Sequence, residues 1–197
     1  MKLLLGTGNA GKIEELRLPF ADLDIELVTL KDFPDIIEPE ETGETLLENA
    51  VLKAQYYAEK TGLPTLADDG GLFCDALDGW PGVRSARVAP THETKLALIL
   101  KELDGVETSK RTATFQGWLA YYDPRCKELY AAYGSCSGHI TDEPYESSHM
   151  KWGFNHVFYV DEAEKTFAEM SKSEKNSYSH RGKALQKIIT YLETTIC

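Results

Sequence analysis

The sequence has few cysteines, and their spacing suits neither metal binding nor disulfide exchange. Four of them, Cys74, Cys126, Cys136 and Cys197, are scattered along 197 residues without a Cys-x-x-Cys pair. This pattern disfavours zinc and redox sites and is consistent with reduced thiols in the cytoplasm. No apolar run approaches a membrane span, and the N-terminal run is too short for the core of a signal peptide. We expect a cytoplasmic protein without a membrane partner.

Positive charge is also in short supply. Lys and Arg number 21 against 32 Asp and Glu, which gives a net charge of −11. This balance argues against a nucleic acid polymer held by bulk electrostatics. Any recognition of phosphate must therefore be local, through a few placed cations and backbone N–H groups. The chain is long enough, and with 42% hydrophobic residues apolar enough, to bury a sizeable core.

Helix and strand patterns alternate along the chain, without repeats or linker-like stretches. The hydrophobic patterns predict strands over residues 3–7, 25–29, 64–68, 112–122, 129–137 and 157–160. They predict helices from about residue 11 to Pro19, over 45–60 and 94–103, and from about residue 180 to 196. This order is typical of a mixed α/β chain with two lobes and a cleft between them. We expect residues 1–197 to form one such domain.

Two adjacent carboxylates, Asp68 and Asp69, end a short apolar run and precede two glycines. Neighbouring anions repel and each is costly to desolvate, so pairing them does not stabilise a fold. They are useful where a divalent cation is held, because Mg²⁺ prefers oxygen ligands. The alternative is an ordinary turn, since Asp-Gly is common turn chemistry. The dipeptide by itself does not separate the two interpretations.

A glycine-rich turn over residues 6–12 joins the first strand to the first helix, where free N–H groups suit an anion. It matches parts of a P-loop and of a dinucleotide-binding fingerprint. However, Ile13 replaces the Ser or Thr of a P-loop, and no acidic residue ends the second strand. We predict phosphate binding by Thr7, Asn9 and Lys12. A plain strand–turn–helix connection is the alternative.

Further cations and a carboxylate complete a possible nucleotide site. Lys175, His180 and Arg181 precede or open the last predicted helix, where cations oppose the helix dipole by about 0.3–1 kcal/mol each at exposed sites. A bound anion would reverse that cost. Glu41 and Lys53, before and on the long helix, could reach a metal and a phosphate. Each group alone fits a solvated surface, but together they predict a site for a nucleoside polyphosphate with Mg²⁺.

In this order, the motifs resemble the Ham1/inosine triphosphate pyrophosphatase family over nearly the whole chain. The matching segments are residues 7–12, 41–43, 48–50, 67–69, 75–77, 81–83, 85–87 and 179–184. The resemblance implies a two-lobed α/β fold with a long mixed central sheet flanked by helices and a cleft between the lobes. It also implies a homodimer and a magnesium-dependent hydrolysis of ITP, dITP and XTP to the monophosphate and pyrophosphate.

The resemblance further implies roles for individual residues. Asp69 would be the catalytic carboxylate, as general base and metal ligand, with Glu41 and Asp68 supporting the metal. The residues that would bind the substrate are Thr7, Gly8, Asn9, Ala10, Gly11, Lys12, Lys53, Gly70, Trp152, Gly153, Phe154, Asn155, Lys175, His180 and Arg181.

Two segments depart from the family pattern. Gly70 stands where the family has Ser, so a hydroxyl contact is lost. Residues 150–156 read Met-Lys-Trp-Gly-Phe-Asn-His in place of Gly-Gly-Phe-Gly-Tyr-Asp-Pro. Trp152 could stack on a purine, but Phe154 lacks the tyrosine hydroxyl and Asn155 replaces an anion by an amide. Both aromatic residues could instead belong to the core. We expect pyrophosphohydrolase chemistry with an altered or relaxed base preference.

Three alternatives to this function are open. The first is a nucleotide-binding regulator that has lost catalysis through the Asn155 region. The second is a related pyrophosphatase that acts on pyrimidine or modified nucleotides. A dinucleotide-dependent oxidoreductase is third, and it is disfavoured because the acidic residue that would bind the ribose is missing.

Overall fold

The computed structural model describes residues 1–21, 23–146 and 153–195. Within these ranges the strands are β1 (Lys2–Leu5), β2 (Glu26–Thr29), β3 (Thr65–Cys74), β4 (Thr112–Asp123), β5 (Glu128–Ile140), β6 (Phe158–Val160) and β7 (Lys165–Thr166). The α-helices are α1 (Ala10–Arg17), α2 (Leu46–Thr61), α3 (His92–Glu102), α4 (Lys172–Tyr178) and α5 (His180–Thr195). None of the described helices is long and apolar enough to cross a membrane.

The strands form one mixed sheet in the order β2-β1-β3-β4-β5-β6-β7. β1 lies between β2 and β3 and is parallel to both, with Leu5 opposite Leu66 of β3. β5, β6 and β7 pair antiparallel. The predicted mixed α/β fold with a long central sheet flanked by helices is confirmed.

The chain divides into two compact units, and three of the strands run through both. The first unit comprises Met1–Asp69, Gly117–Gly134 and Arg181–Cys197, and the second comprises Gly70–Gln116 and Ser135–His180. The chain passes from one unit to the other four times, first between Asp69 and Gly70 and last between His180 and Arg181.

In the first unit, helices cover both faces of the sheet. Successive side chains of a strand point to opposite faces. Leu66 accordingly packs in a cluster with Leu16 of α1 and Ile188 of α5. Ala67, the next residue, packs with Ala50, Ala54 and Ala58 of α2. These small side chains let α2 lie close to the sheet.

The bounds of α2 follow from its capping residues. Thr45 accepts a hydrogen bond from the Glu48 N–H, and the Glu48 carboxylate accepts one from the Thr45 N–H in return. This reciprocal pair satisfies two N–H groups that the helix start leaves open. Gly62 ends the helix at φ +70°, a left-handed conformation that glycine adopts without steric cost. The predicted helix over 45–60 is confirmed to within one residue at each end.

The second unit has its own apolar core around aromatic rings. Phe115 packs edge-on against Phe158 with ring centroids 4.7 Å apart, and Phe167 lies beside both. Ile99 and Leu103, at the end of α3, are fully buried in the same cluster. α3 begins at a Thr91 cap that accepts from the Thr94 N–H. The helix predicted over 94–103 is therefore present, but it starts two residues earlier.

The strand predicted over 64–68 extends to Cys74. The turn interpretation of the Asp-Gly dipeptide was wrong, because Asp69 and Gly70 are successive residues of an extended strand. Glycine is required at position 71, where a Cβ would lie 2.2 Å from the Gly82 carbonyl oxygen. These glycines therefore serve close packing rather than a change of chain direction.

The segment before the last helix also differs from the prediction. It contains the short helix α4, and Lys175 lies in the last turn of that helix. The prediction that Lys175 opposes a helix dipole was wrong, because a cation is favourable at this end. Ser171 caps the start of α4 by accepting from the Glu174 N–H. α4 was missed because only seven residues form it and few of them are apolar.

Gly138 allows the closest approach between strands in the second unit. A Cβ at this position of β5 would lie 1.9 Å from the Tyr159 carbonyl oxygen of β6. We expect Gly138→Ala to lower the free energy of unfolding by about 1–3 kcal/mol or more, because neither strand can yield. Gly8→Ala, where nothing lies within 4 Å of the added Cβ, is the matched control. Urea unfolding measures both, and equal stability of the two variants would contradict the prediction.

Candidate active site

The two carboxylates of β3 belong to opposite faces of the strand. Asp68 shares the face of Leu66, which is covered by α1 and α5, and Asp69 shares the face of Ala67, which is covered by α2. Both side chains are buried. The cations that pair with Asp68 therefore come from different helices than the cation that pairs with Asp69.

Asp68 lies in a closed cluster of charges. Its Oδ2 accepts from Nε and Nη2 of Arg181 at 3.0 and 2.8 Å, and Nζ of Lys12 lies 3.2 Å from Oδ1. Nη1 of Arg181 donates to Glu15 of α1. Burial alone would raise the pKa of Asp68, but Lys12 and Arg181 outweigh it and hold the pKa well below the usual range. Asp68 is therefore a permanent anion.

Asp69 shares a single ammonium group with Glu41. Nζ of Lys53 donates to Oδ1 of Asp69 at 3.1 Å and to Oε1 of Glu41 at 2.6 Å. The pKa of Asp69 is raised, mainly by burial. The positive charge of Lys53 opposes this rise, and the negative charge of Glu41 adds to it. Burial would lower the pKa of Lys53, but Asp69, Asp68 and Glu41 together raise it. The group therefore carries an excess negative charge around a fixed ammonium.

This group has the chemistry of a magnesium site. Oδ2 of Asp69 is buried and has no hydrogen-bond partner among the described residues. Carboxylate oxygens are the donors that Mg²⁺ takes, usually one or two of them beside substrate phosphates. In the described ranges no cluster of three or more His, Cys, Asp or Glu side chains is placed for a metal. Asp69 and Glu41 thus suit a cation that substrate and water would also ligate.

The predicted metal residues are not all together. Glu41 and Asp69 meet through Lys53, whereas the contacts of Asp68 are with Lys12 and Arg181 on the other face. The two groups nevertheless act on each other through β3. Lys53 helps to lower the pKa of Asp68, and Lys12 opposes the rise in the pKa of Asp69.

The glycine-rich turn ends in a capped helix. Oδ1 of Asn9 accepts from the N–H groups of Gly11 and Lys12 at 2.9 and 3.2 Å, and the Asn9 N–H donates to Thr7 Oγ1 at 3.2 Å. Gly8, Asn9 and Ala10 are exposed. An anion would thus meet the Lys12 side chain and the exposed backbone of residues 8–10. To reach the N–H groups of Gly11 and Lys12, it would have to displace the Asn9 cap.

The predicted substrate residues of the second unit lie around its aromatic core. The His180 ring stacks on Phe115 at 5.2 Å, and a Cβ on Gly70 would lie 3.0 Å from Nε2 of His180. Nζ of Lys175 lies 5.2 Å from the centre of the Phe167 ring. Gly70 therefore leaves space on β3 for the histidine.

The segment that departs from the family pattern is partly described. Trp152 lies outside the described residues. Gly153 has φ +62°, Phe154 is buried in the apolar core, and the Asn155 carbonyl accepts from the Ala168 N–H at 3.1 Å. The alternative that Phe154 is a core aromatic residue is therefore correct for its packing.

Two residues of the first unit were given no role in the predicted site. Glu15 holds Arg181, and its spacing of three from Lys12 on α1 is a signal that both face the same side. Oδ1 of Asn49 accepts from the Gly43 N–H at 2.8 Å and so fastens the loop that carries Glu41. Asn49 lies four residues before Lys53 on α2, which was the available signal.

Comparison with known proteins agrees with this fold. The family model described as the Ham1 family matches residues 3–191. The chain therefore belongs to the Ham1 family. Two solved structures resemble it: a HAM1 protein from Coxiella burnetii (TM-score 0.86, 34% identity, covering 99% of this chain and 100% of that one) and the Staphylococcus aureus Ham1 protein (TM-score 0.84, 32% identity, 98% and 99% covered).

Curated relatives are similar along almost their whole length. A dITP/XTP pyrophosphatase of Geobacillus kaustophilus is 42% identical over 95% of this chain and 92% of its own length. A dITP/XTP pyrophosphatase of Thermus thermophilus is 45% identical over 96% of this chain and 90% of its own length. The predicted site residues, from Thr7 to Arg181, all lie within the range of the family match, residues 3–191.

The Asp68 cluster generates a prediction about stability. We expect Asp68→Asn to lower the free energy of unfolding by about 3–5 kcal/mol, because the buried Arg181 loses its ion pair with position 68, and so does the partly exposed Lys12. Glu26→Gln, which removes an exposed partner of Lys2, should cost about 1 kcal/mol or less.

The pH dependence of that stability separates the cluster from simple packing. Because folding lowers the pKa of Asp68, its contribution is complete above about pH 4, the pKa of an unfolded aspartate, and is lost as the pH falls further. Urea unfolding at falling pH should therefore narrow the gap between wild type and Asp68→Asn. A gap that stays constant would show that the charge of Asp68 does not matter.

Proposed function

We propose that the chain is a nucleoside triphosphate pyrophosphohydrolase that converts ITP, dITP and XTP to the monophosphate and pyrophosphate. The observation that carries this proposal is the Glu41–Lys53–Asp69 group, which combines a base, a fixed cation and oxygen donors within hydrogen-bond distance. The curated dITP/XTP pyrophosphatases to which the chain is similar support it. The regulator without catalysis is less well supported, because the groups that chemistry needs are all present.

In the proposed reaction, water attacks the α-phosphorus while the bond to the leaving pyrophosphate breaks. Asp69, as a carboxylate, accepts the proton of the attacking water. Its raised pKa makes it a stronger base than an exposed aspartate, which brings it nearer to the operating pH. Lys53 fixes Oδ1 of this carboxylate, so Oδ2 is the oxygen left for water or metal.

Magnesium would be held by Asp69 and Glu41, and when bound it would neutralise charge on the phosphates and on the leaving group. Asp68 was also predicted to support the metal. Its ion pairs suggest that it does so indirectly, by holding Lys12 beside the glycine-rich turn.

The phosphates would be bound by Lys12 and the turn over residues 7–11, with Lys53 assisting. Lys12 is partly exposed, with a side-chain accessibility of 22%, and so can reach a ligand. Arg181 already donates through Nε, Nη1 and Nη2 to Asp68 and Glu15. A contact of Arg181 with the nucleotide would therefore require an exchange of partners.

The proposal extends to the base and to the assembly. Gly70, Gly153, Phe154, Asn155, Lys175 and His180 would surround the nucleoside, with Trp152 stacking on the purine. Family resemblance further suggests a homodimer in the cytoplasm. The net charge of −11 supports the absence of a nucleic acid partner.

Asp69→Asn tests the catalytic group. We expect pyrophosphate release from ITP with Mg²⁺ to fall about 10²–10⁴-fold, the contribution of a general base, while nucleotide affinity changes little. Rapid-mixing assays of pyrophosphate and calorimetric titration with ITP measure the two effects. Asp104→Asn, at an exposed turn, is the control. If the wild-type protein bound ITP and Mg²⁺ without releasing pyrophosphate, it would instead be a nucleotide-binding regulator without catalysis.

Asn155→Asp, combined with Phe154→Tyr, tests base preference. A carboxylate only accepts, so it pairs with the N1–H of hypoxanthine and is repelled by the unprotonated N1 of adenine, whereas the Asn155 amide both donates and accepts and can pair with either base. We expect the ratio of kcat/KM for ITP to that for ATP to rise about five- to tenfold in the double variant, the value of one hydrogen bond. A panel of ITP, XTP, GTP and ATP measures it, with Gln186→Glu on the exposed face of α5 as control. A wild-type ratio already typical of the family would contradict an altered preference.

A further inference from the structure

Two histidines of the second unit face each other beside the segment assigned to the base. His92 is the first residue of α3, and His156 directly follows Asn155. Their ring centroids are 5.1 Å apart, with the ring planes inclined by 55°. His156 stands where the family pattern has a proline, so the pair belongs to the segment in which this chain departs from that pattern.

His156 is tied to the neighbouring loop by two hydrogen bonds. Its Nδ1 lies 2.6 Å from the Tyr145 carbonyl oxygen, and its own carbonyl accepts from the Tyr145 N–H at 2.7 Å. A carbonyl oxygen only accepts, so Nδ1 of His156 carries the proton. The side chain is 8% exposed. The imidazole therefore fixes the end of the segment 153–156.

His92 fixes the other end. It forms a hydrogen bond with the Gly153 backbone, which favours a protonated ring nitrogen. Its Nδ1 is buried and has no hydrogen-bond partner among the described residues, so the bond to Gly153 uses Nε2. The two imidazoles thus attach the segment at Gly153 and at His156, on either side of Phe154 and Asn155.

The surroundings favour a neutral His92. Burial lowers its pKa, and His156 and Lys95 add to that effect, while Glu93 and the Gly153 bond oppose it. The N-terminus of α3 also disfavours a positive ring. In the loop over 141–146, Asp142 is paired with Arg111, and Glu143 and Glu146 are exposed. A proton added to Nδ1 of His92 would have no acceptor among the described residues, and the added charge would lie beside the second imidazole.

We propose that His92, as a neutral imidazole, and His156 are positioning residues that hold residues 153–155 in the geometry that receives the purine base. The proposal rests on the proposed function, since residues 153–155 are assigned to the base there. Protonation of His92 adds charge beside His156 and loosens the segment. The effect falls on KM and leaves kcat nearly unchanged, because Asp69 and Lys53 belong to the other unit.

Kinetics of three variants test the proposal. As the pH falls from about 8 to about 5.5, the range in which imidazole titrates, the wild-type KM for ITP should rise about threefold or more, in proportion to the fraction of loosened segment. His92→Gln keeps an N–H donor near the position of the imidazole Nε2 and cannot become charged, so the KM of this variant should not show the rise at low pH. His92→Leu lacks the donor and should raise KM at every pH. His139→Gln, which removes a histidine paired with Asp161, should behave like wild type.

A second measurement does not depend on turnover. In NMR titrations of the wild-type protein, the backbone amide signals of Gly153, Phe154 and Asn155 should shift with the midpoint of the His92 ring, and these shifts should vanish in His92→Gln. The proposal would be overturned if these amide signals did not shift as His92 titrates. It would also be overturned if the KM for ITP depended on pH in His92→Gln as it does in the wild type. If the amide signals shifted as expected but the protein did not hydrolyse ITP, only the proposed function would be overturned.

Discussion

The neutralisation of two buried carboxylates on adjacent residues of β3 constrains the rest of the first unit. Asp68 and Asp69 cannot share one set of cations, because a strand sends them to opposite faces. α1 and α5 therefore supply Lys12 and Arg181 on one face, and α2 supplies Lys53 on the other. An unpaired charge at either position would cost several kcal/mol. The positions of three helices thus depend on this one dipeptide.

The same division gives the two carboxylates different chemistry. Asp68 receives three hydrogen-bonding or ion-pairing atoms and its pKa is lowered, whereas Asp69 shares one ammonium with Glu41 and its pKa is raised. Environments that separate the pKa values of neighbouring acids are a common way to assign distinct roles to them. Asp68 is suited to hold cations in place, and Asp69 is suited to exchange a proton.

Local rules accounted for much of the fold, and long-range contacts limited the rest. Caps such as Thr45 and Gly62 determine the ends of α2 and were readable from the sequence. The extension of β3 was not, because Gly71 is required by the Gly82 carbonyl rather than by a turn. The residue types and order indicated Lys53 and Asp69 as site residues. The bond between Glu15 and Arg181 joins residues 166 positions apart, and no local pattern predicts it.

The departures over residues 154–156 belong to a different unit from the charges assigned to hydrolysis. Phe154, Asn155 and His156 belong to the second unit, whereas Glu41, Lys53 and Asp69 belong to the first. Buried ion pairs tolerate little substitution, because the loss of one partner leaves the other as an unpaired buried charge. The segment around Asn155 is held mainly by backbone hydrogen bonds and imidazoles, so its side chains can vary without disturbing the charge balance on β3. Under the proposed function, base preference can therefore change in this chain while the groups assigned to hydrolysis stay the same.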